Sequence, residues 1–246
     1  MSTSITAPAT LFLITPDTTV GALVAARPAL ARLFEQLEID YCCGGKQTLA
    51  AVCARRGLDV ATTITLIDST RAALMAGPAE VDAAAMSLTQ LADHIESTHH
   101  AYLKSELPRL VEMAERVAIK HSWRDARLPL MAAAVTTLAG EMLSHMQKEE
   151  IILFPLVRQI ERDSGDEVSR EELACPIRQM ESEHESAGDL TAQLRALTDN
   201  FTPDAESCNT HRALLAGLAD FEADLHRHVH KENNVLFPRA LAAASR

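Results

Sequence analysis

Apolar residues recur at helical intervals along most of this chain. Between Thr19 and Glu38, Val20, Leu23 and Val24 are followed by Leu30, Leu33, Phe34 and Leu37. Such steps of three and four share one helix face. Pro28 interrupts the run and predicts that a second helical piece begins there, since proline suits the first turn of a helix better than its interior. Asp40-Tyr41-Cys42-Cys43-Gly44-Gly45 reads as a turn because of its glycines. A short helix from about Gln47 to Arg56 stops at Gly57, and Asp59 can cap another that runs to about Met75. Residues 1–17 read as a loose polar lead.

Gly77-Pro78-Ala79-Glu80 breaks the periodicity and reads as a linker. Ser87 and Gln90 fit a capping box ahead of a long amphipathic stretch. That helix carries His94, His99 and His100, passes Pro108, where a kink is expected, and ends near Lys120. Pro129 is expected to open a second helix, bearing His145 and Glu149 towards Arg158, with a loop from Asp163 to Glu167. Pro176 is expected to open a third, with His184, ending near Asn200. After a turn at Thr202-Pro203-Asp204, a fourth runs from about Ala205 to Ala240 and carries His228 and Glu232. The predicted fold is all-α. A small N-terminal helical domain spans residues 1–76, a linker 77–86, and an antiparallel four-helix bundle 87–246.

Composition agrees with helices. Hydrophobic residues make up 47% of the 246, enough for a packed core, while aromatics are only 4% and strands favour aromatic and β-branched residues. A net charge of −11 without a basic run argues against nucleic acid or an anionic membrane as partner. No apolar stretch reaches the roughly 18 residues of a membrane span. Met1 to Pro16 shows neither a basic leader nor a cleavage site. Five cysteines, unevenly spaced, disfavour a disulfide framework, so a reducing cytoplasm is expected.

The chemistry lies in a repeated segment. From His145 the chain reads H-M-Q-K-E-E-I-I-L-F-P, and from His228 it reads H-V-H-K-E-N-N-V-L-F-P. Each places a histidine and a glutamate four apart, on one helix face. One such pair is usually a surface contact. Two copies on different helices, with matching Leu-Phe-Pro tails, point instead to a dinuclear metal site inside the bundle. His184 is the histidine offered by the third helix. The first offers His94, His99 or His100, and spacing does not choose among them, although His94 and His100 cannot both serve one site. His121 lies roughly 31 Å beyond His100 along an unbroken helix and is excluded. His226 and His230 are each turned about 200° from His228 and are read as solvated. Glu150 should point away from the site. Glu141, one turn before His145, could orient that imidazole. The Leu-Phe-Pro tails are read as core packing followed by a helix end or bend.

Imidazole with carboxylate suits iron, manganese, zinc or copper. Paired bridging carboxylates lean towards iron. Glu181-x-x-His184 matches the ferritin-like form once, but the repeated His-x-x-x-Glu makes the set histidine-rich, as in hemerythrin-type sites that bind a small diatomic molecule. At the cysteine turn, Gly44 and Gly45 are expected to expose Cys42 and Cys43 for redox exchange or metal transfer. Cys53 reads as buried packing, and Cys175 and Cys208 are assigned no role.

Tyr41-Cys42-Cys43-Gly44-Gly45-Lys46, together with H-M-x-K-E-E-x-I-L-F-P, M-E-S-E-H-E-x-A-G and E-N-N-V-L-F-P-R-A, resembles the repair-of-iron-centres family. The resemblance runs from about residue 18 to the end. It implies a small N-terminal domain joined to a hemerythrin-like bundle, and it selects His100, with His99 where an aromatic is usual. The implied ligands are His100, His145, Glu149, His184, His228 and Glu232. They would hold two iron ions per chain, oxo-bridged, with Glu149 and Glu232 bridging. The implied task is repair of iron–sulfur clusters after nitrosative or oxidative stress, by supplying iron to proteins with damaged clusters, with Cys42 and Cys43 receiving iron or electrons. Reduction of nitric oxide or peroxide at the same site is the alternative, with nitric oxide or dioxygen as small ligands. A homodimer is one expected assembly.

Overall fold

The computed structural model describes residues 13–74, 81–162 and 168–244. Among them the regular structure is helical, with an isolated bridge between Thr19 and Thr48. Four helices form the N-terminal unit: α1 (Val20–Ala26), α2 (Leu30–Gln36), α3 (Leu49–Arg56) and α4 (Val60–Leu74). Thr19 and Thr48 cap α1 and α3 through their hydroxyls, which satisfy amides at the helix starts. Gly57 ends α3 at φ 68°, a left-handed geometry that costs glycine nothing. The Asp59 carboxylate accepts from the Thr62 amide at 2.8 Å, at the start of α4. Leu23, Leu30, Phe34, Tyr41, Leu49 and Ile67 pack into this unit's own core.

The bundle has four long helices, three of them interrupted. The first is α5 (Leu88–Ile95), a π turn at Glu96–His100, and α6 (Ala101–His121). The second is α7 (Arg127–Lys148), a π turn at Glu149–Leu153, and α8 (Phe154–Arg162). The third is α9 (Arg170–Leu197). The fourth is α10 (Asn209–Lys231), a π turn at Glu232–Leu236, and α11 (Phe237–Ala243). The apolar interior is split into two clusters, and successive helices pass between them in alternating directions. Ile95 lies in one and Leu103 in the other; Met146 then leads back to Leu153, Met180 to Ala187, and Val229 to Val235. The order is up-down-up-down, and each helix crosses a polar layer midway.

Several boundaries differ from the sequence reading. The helix expected to open at Pro176 begins at Arg170, because Ser169 and Glu172 form a full capping box, and Pro176 lies within it. The helix expected from Pro129 starts at Arg127, so the proline sits in the first turn, where it costs little. The fourth starts at Asn209 rather than Ala205, since Asp204 instead ties a turn through Ser207 and the Glu206 amide. Pro108 sits inside a continuous α6, and the irregularity on that helix falls earlier, at the π turn. The Asp163–Glu167 loop, most of the polar lead and the Gly77–Glu80 linker core lie outside the described residues. The 3₁₀ turn Ala83–Ala85 that follows packs on the bundle, where Arg239 donates to the carbonyls of Ala83 and Met86.

Candidate metal centre

Six side chains fill the polar layer, and each is at most 1% exposed: His100, His145, Glu149, His184, His228 and Glu232. They form two overlapping groups, His100, Glu149, His228 and Glu232 in one, and His145, Glu149, His184 and Glu232 in the other. Within each, the nearest donor atoms lie inside 4.8 Å of one another. Both carboxylates belong to both groups, the arrangement bridging ligands need. Every histidine presents Nε2: His100 and His145 lie 3.3 Å from Glu149 Oε2, His184 3.1 Å from Glu232 Oε2, and His228 2.9 Å from Glu232 Oε1.

The π turns set this geometry. At Glu149 and Glu232 the carbonyl accepts from Phe154 and Phe237 respectively, five residues on. The next residue in each copy is a proline, which has no amide to continue the α ladder. The wider turn absorbs that gap at the ligand carboxylate. The Leu-Phe-Pro tails therefore do more than end a helix. Helices α8 and α11 continue after them, and Phe154 and Phe237 stack on His100 and His184 at 5.6 and 6.2 Å.

Three of the four imidazoles are held at Nδ1. Glu150 takes the His100 proton at 2.8 Å, Glu183 that of His145 at 3.0 Å, and the Asn233 carbonyl oxygen that of His184 at 3.0 Å. Such partners fix the ring and leave Nε2 as the ligand atom. This corrects two expectations. Glu150 does not point away, because the π turn carries it to the first bundle helix. Glu141 does not orient His145; it accepts from Ser186 at 3.0 Å, and Glu183 from the facing helix takes that place. Lys148 pairs with Glu183, and Lys104 with Glu150 at 2.6 Å. Glu181 lies outside the cage, paired with Lys46 at 2.8 Å.

A cation fits the cage. Both oxygens of Glu149 and Oε2 of Glu232 are buried without a hydrogen-bond partner, a costly state for ionised groups. Burial by itself would lower the His145 pKa, but Glu149 and Glu183 override it and push it up to about 10. His100 is raised against burial by Glu149. Burial and mutual repulsion oppose charge on Glu149, yet its histidines hold its pKa down. Glu232 is likewise held low, against burial, by His228 and His184. The cage thus demands positive charge at its centre, from protons or from metal.

The remaining histidines lie outside it. His99 Nδ1 meets Asp224 at 2.9 Å, and its ring stacks on His228 at 5.3 Å. His94 packs edge-on to His99, and His121 is at the far end of α6. His226 is half-buried beside Tyr41. His230, expected to be solvated, is buried at 6% and donates to the Tyr41 carbonyl oxygen at 3.3 Å, because the N-terminal unit covers that helix face. The same cover corrects the cysteines. Cys42 is buried in the bundle core cluster, its thiol 3.2 Å from Asp40, and Cys43 is half-buried. The Cys43 thiol approaches the His184 carbonyl oxygen at 3.7 Å. Asn234 locks the contact, donating to the carbonyls of Tyr41 and Cys42 at 3.3 and 3.0 Å. Gly21 and Gly45 make room for it, since a Cβ on either would stand within 2.3 Å of its side-chain oxygen.

Comparison with known proteins agrees with this architecture. The hemerythrin HHE cation-binding domain matches residues 91–240, and a domain of unknown function, DUF542 (ScdA_N), matches residues 16–70. The iron–sulfur cluster repair protein YtfE of Musicola paradisiaca is 39% identical over 226 residues, 92% of this chain and 96% of its own length. YtfE of Salmonella paratyphi B and of Salmonella newport are equally similar, over 97% of theirs. A cysteine-bearing helical unit locked onto a histidine- and carboxylate-lined bundle, matched over nearly its full length by these relatives, places the chain in the YtfE family of iron–sulfur cluster repair proteins, the repair-of-iron-centres family.

Proposed function

We propose that the protein repairs iron–sulfur clusters damaged by nitrosative or oxidative stress, by supplying iron to the proteins that carry them. The observation that carries this reading is the buried cage, with three orphaned carboxylate oxygens, lying beside a cysteine pair. His100, His145, His184 and His228 would cap two irons, and Glu149 and Glu232 would bridge them together with an oxo group. When bound, that pair supplies releasable iron and one-electron chemistry. The chain's own part is to hold four imidazoles around the cage, three of them at tautomers fixed through Nδ1, and to keep bulk water out. Cys43, at the edge of the His184 helix, offers a soft ligand on the way out. Among the described residues no helix is long and apolar enough to cross a membrane.

A second reading, reduction of nitric oxide or peroxide at the same cage, draws on the burial of the ligands, each at most 1% exposed, which suits a substrate of a few atoms. One experiment separates the two. Iron-loaded full-length protein is mixed with a [4Fe–4S] protein damaged by nitric oxide, and cluster absorbance, iron partition and nitric oxide consumption are followed. Iron donation predicts recovery matched by iron lost from this chain. It predicts no recovery with Glu149→Leu/Glu232→Leu, and slowed recovery with Cys42→Ser/Cys43→Ser at unchanged iron content. Recovery that leaves the bound iron in place, with steady nitric oxide consumption, would overturn donation in favour of reduction.

A further inference from the structure

A second cavity, of about 360 Å³, lies between the N-terminal unit and the bundle, and none of the six cage residues lines it. Its apolar wall includes Val24 and Pro28 from the N-terminal unit and Val235 from the bundle. Its charged lining side chains are Arg32, Arg227 and Lys231, all basic, in a chain with 34 acidic residues against 23 basic ones. Such a concentration opposes the overall charge and focuses a positive potential in a partly enclosed space.

Arg32 and Arg227 are not consumed by close carboxylates. Arg32 has no ion pair among the described residues. Arg227 comes no nearer than 3.9 Å to Glu35 and 3.7 Å to Asp224, beyond hydrogen-bonding distance. Lys231 donates to His99 Nε2 at 2.9 Å. Because an ammonium can only donate, the His99 proton must sit on Nδ1, where Asp224 accepts it. This chain of contacts pins the Lys231 ammonium at the cavity wall. The space is in the range of small-molecule sites and joins an apolar wall to a few convergent charges.

We propose that this cavity is a binding site for a small organic anion with an apolar body. The charged end of the ligand meets Arg227, Arg32 and Lys231, and the apolar body lies against Val24, Pro28 and Val235. The site is independent of the metal cage and of the repair reading.

The test titrates full-length protein with anilinonaphthalene sulfonate, an amphipathic anion, following dye fluorescence. Circular dichroism melts of every variant are recorded alongside, so that dye uptake by a loosened chain is recognised. The expected result is one saturable site per chain that weakens as salt is raised. Arg32→Ala/Arg227→Ala weakens it at least about tenfold, the loss of roughly 1.4 kcal/mol of binding. Ala25→Phe, on the cavity wall, blocks it while both variants melt like the parent chain. Uncharged anilinonaphthalene should not respond to the arginine replacements. Absence of saturable binding, or binding unchanged in both variants, overturns the proposal.

Discussion

The two His-x-x-x-Glu copies share a backbone device and differ in what lies against them. Each enters a π turn at its ligand carboxylate, and in each the next residue orients an imidazole on a neighbouring helix: Glu150 on His100, Asn233 on His184. One position further the copies part. Ile151 is 65% exposed, whereas Asn234 is wedged between Gly21 and Gly45 and holds the cysteine turn. One copy faces solvent and the other carries the N-terminal unit. Metal geometry is thus built into the shared turn, while the side chain two residues past the carboxylate differs with what covers it: Asn234 joins His230, Glu181 and the His184 carbonyl in holding the N-terminal unit, and Ile151 holds nothing comparable.

The sharpest way to break the likeness is to remove one carboxylate at a time. Glu149 and Glu232 each belong to both ligand groups, so Glu149→Ala and Glu232→Ala should each empty both positions rather than one. Metal analysis of the purified variants checks this, and a variant that retains one metal would show that the two copies are not equivalent. Next comes the orienting residue. Glu150→Ala and Asn233→Ala should each weaken metal binding roughly 10- to 100-fold in a chelator competition. The larger loss is expected at Glu150, since an ionised acceptor holds an imidazole more firmly than an amide does. Equal losses would mean that the acceptor's charge does not matter.

Much of this was legible in the chain. The i, i+4 pairs, the Ser87 capping box and the stop at Gly57 are local signals, and local backbone geometry fixes them. What was missed depends on partners distant in sequence or on departure from the α register. Glu183 reaches His145 from another helix, so no spacing rule finds it. On a regular helix Glu150 points away from the site and Asn233 draws no notice, although a proline just past each Leu-Phe pair is a readable sign of a π turn. Ser169 and Glu172 also spell out a capping box, which Pro176 obscured. His230 and Cys42 were expected in solvent because nothing in their own segments reveals that the N-terminal unit lies over them.

Docking gives a smaller effect than the cage. Asn234→Ala removes one donor from each of the Tyr41 and Cys42 carbonyls, which keep His230 and the Gly45 amide, and the two lost bonds together should cost about 1–3 kcal/mol. Gly45→Ala drives a methyl into Asn234 and the Tyr41 carbonyl and should act in the same direction. The equivalent change in the exposed copy, Ile151→Ala, should stay within about 0.5 kcal/mol. Denaturant unfolding of the three variants measures the difference, and a comparable loss at Ile151 would mean that the first copy is also covered.

The smallest effect is a labelling rate at Cys42. Its pKa is raised well above the ordinary thiol value by the hydrogen bond with Cys43, by burial and by the nearby Asp40 carboxylate. The reactive form is the thiolate, so a raised pKa leaves Cys42 protonated and slow towards iodoacetamide at pH 8. Exposed Cys175 serves as the internal reference, read by peptide mass mapping. Asn234→Ala should speed Cys42 relative to Cys175, because loosening the turn exposes the thiol and removes part of the burial that raises its pKa. Ile151→Ala should leave the ratio unchanged. Labelling of Cys42 as fast as Cys175 in the parent chain would show that the N-terminal unit lifts off the second copy within the labelling time, and the contrast between a covered and an uncovered turn would then describe only one of its states.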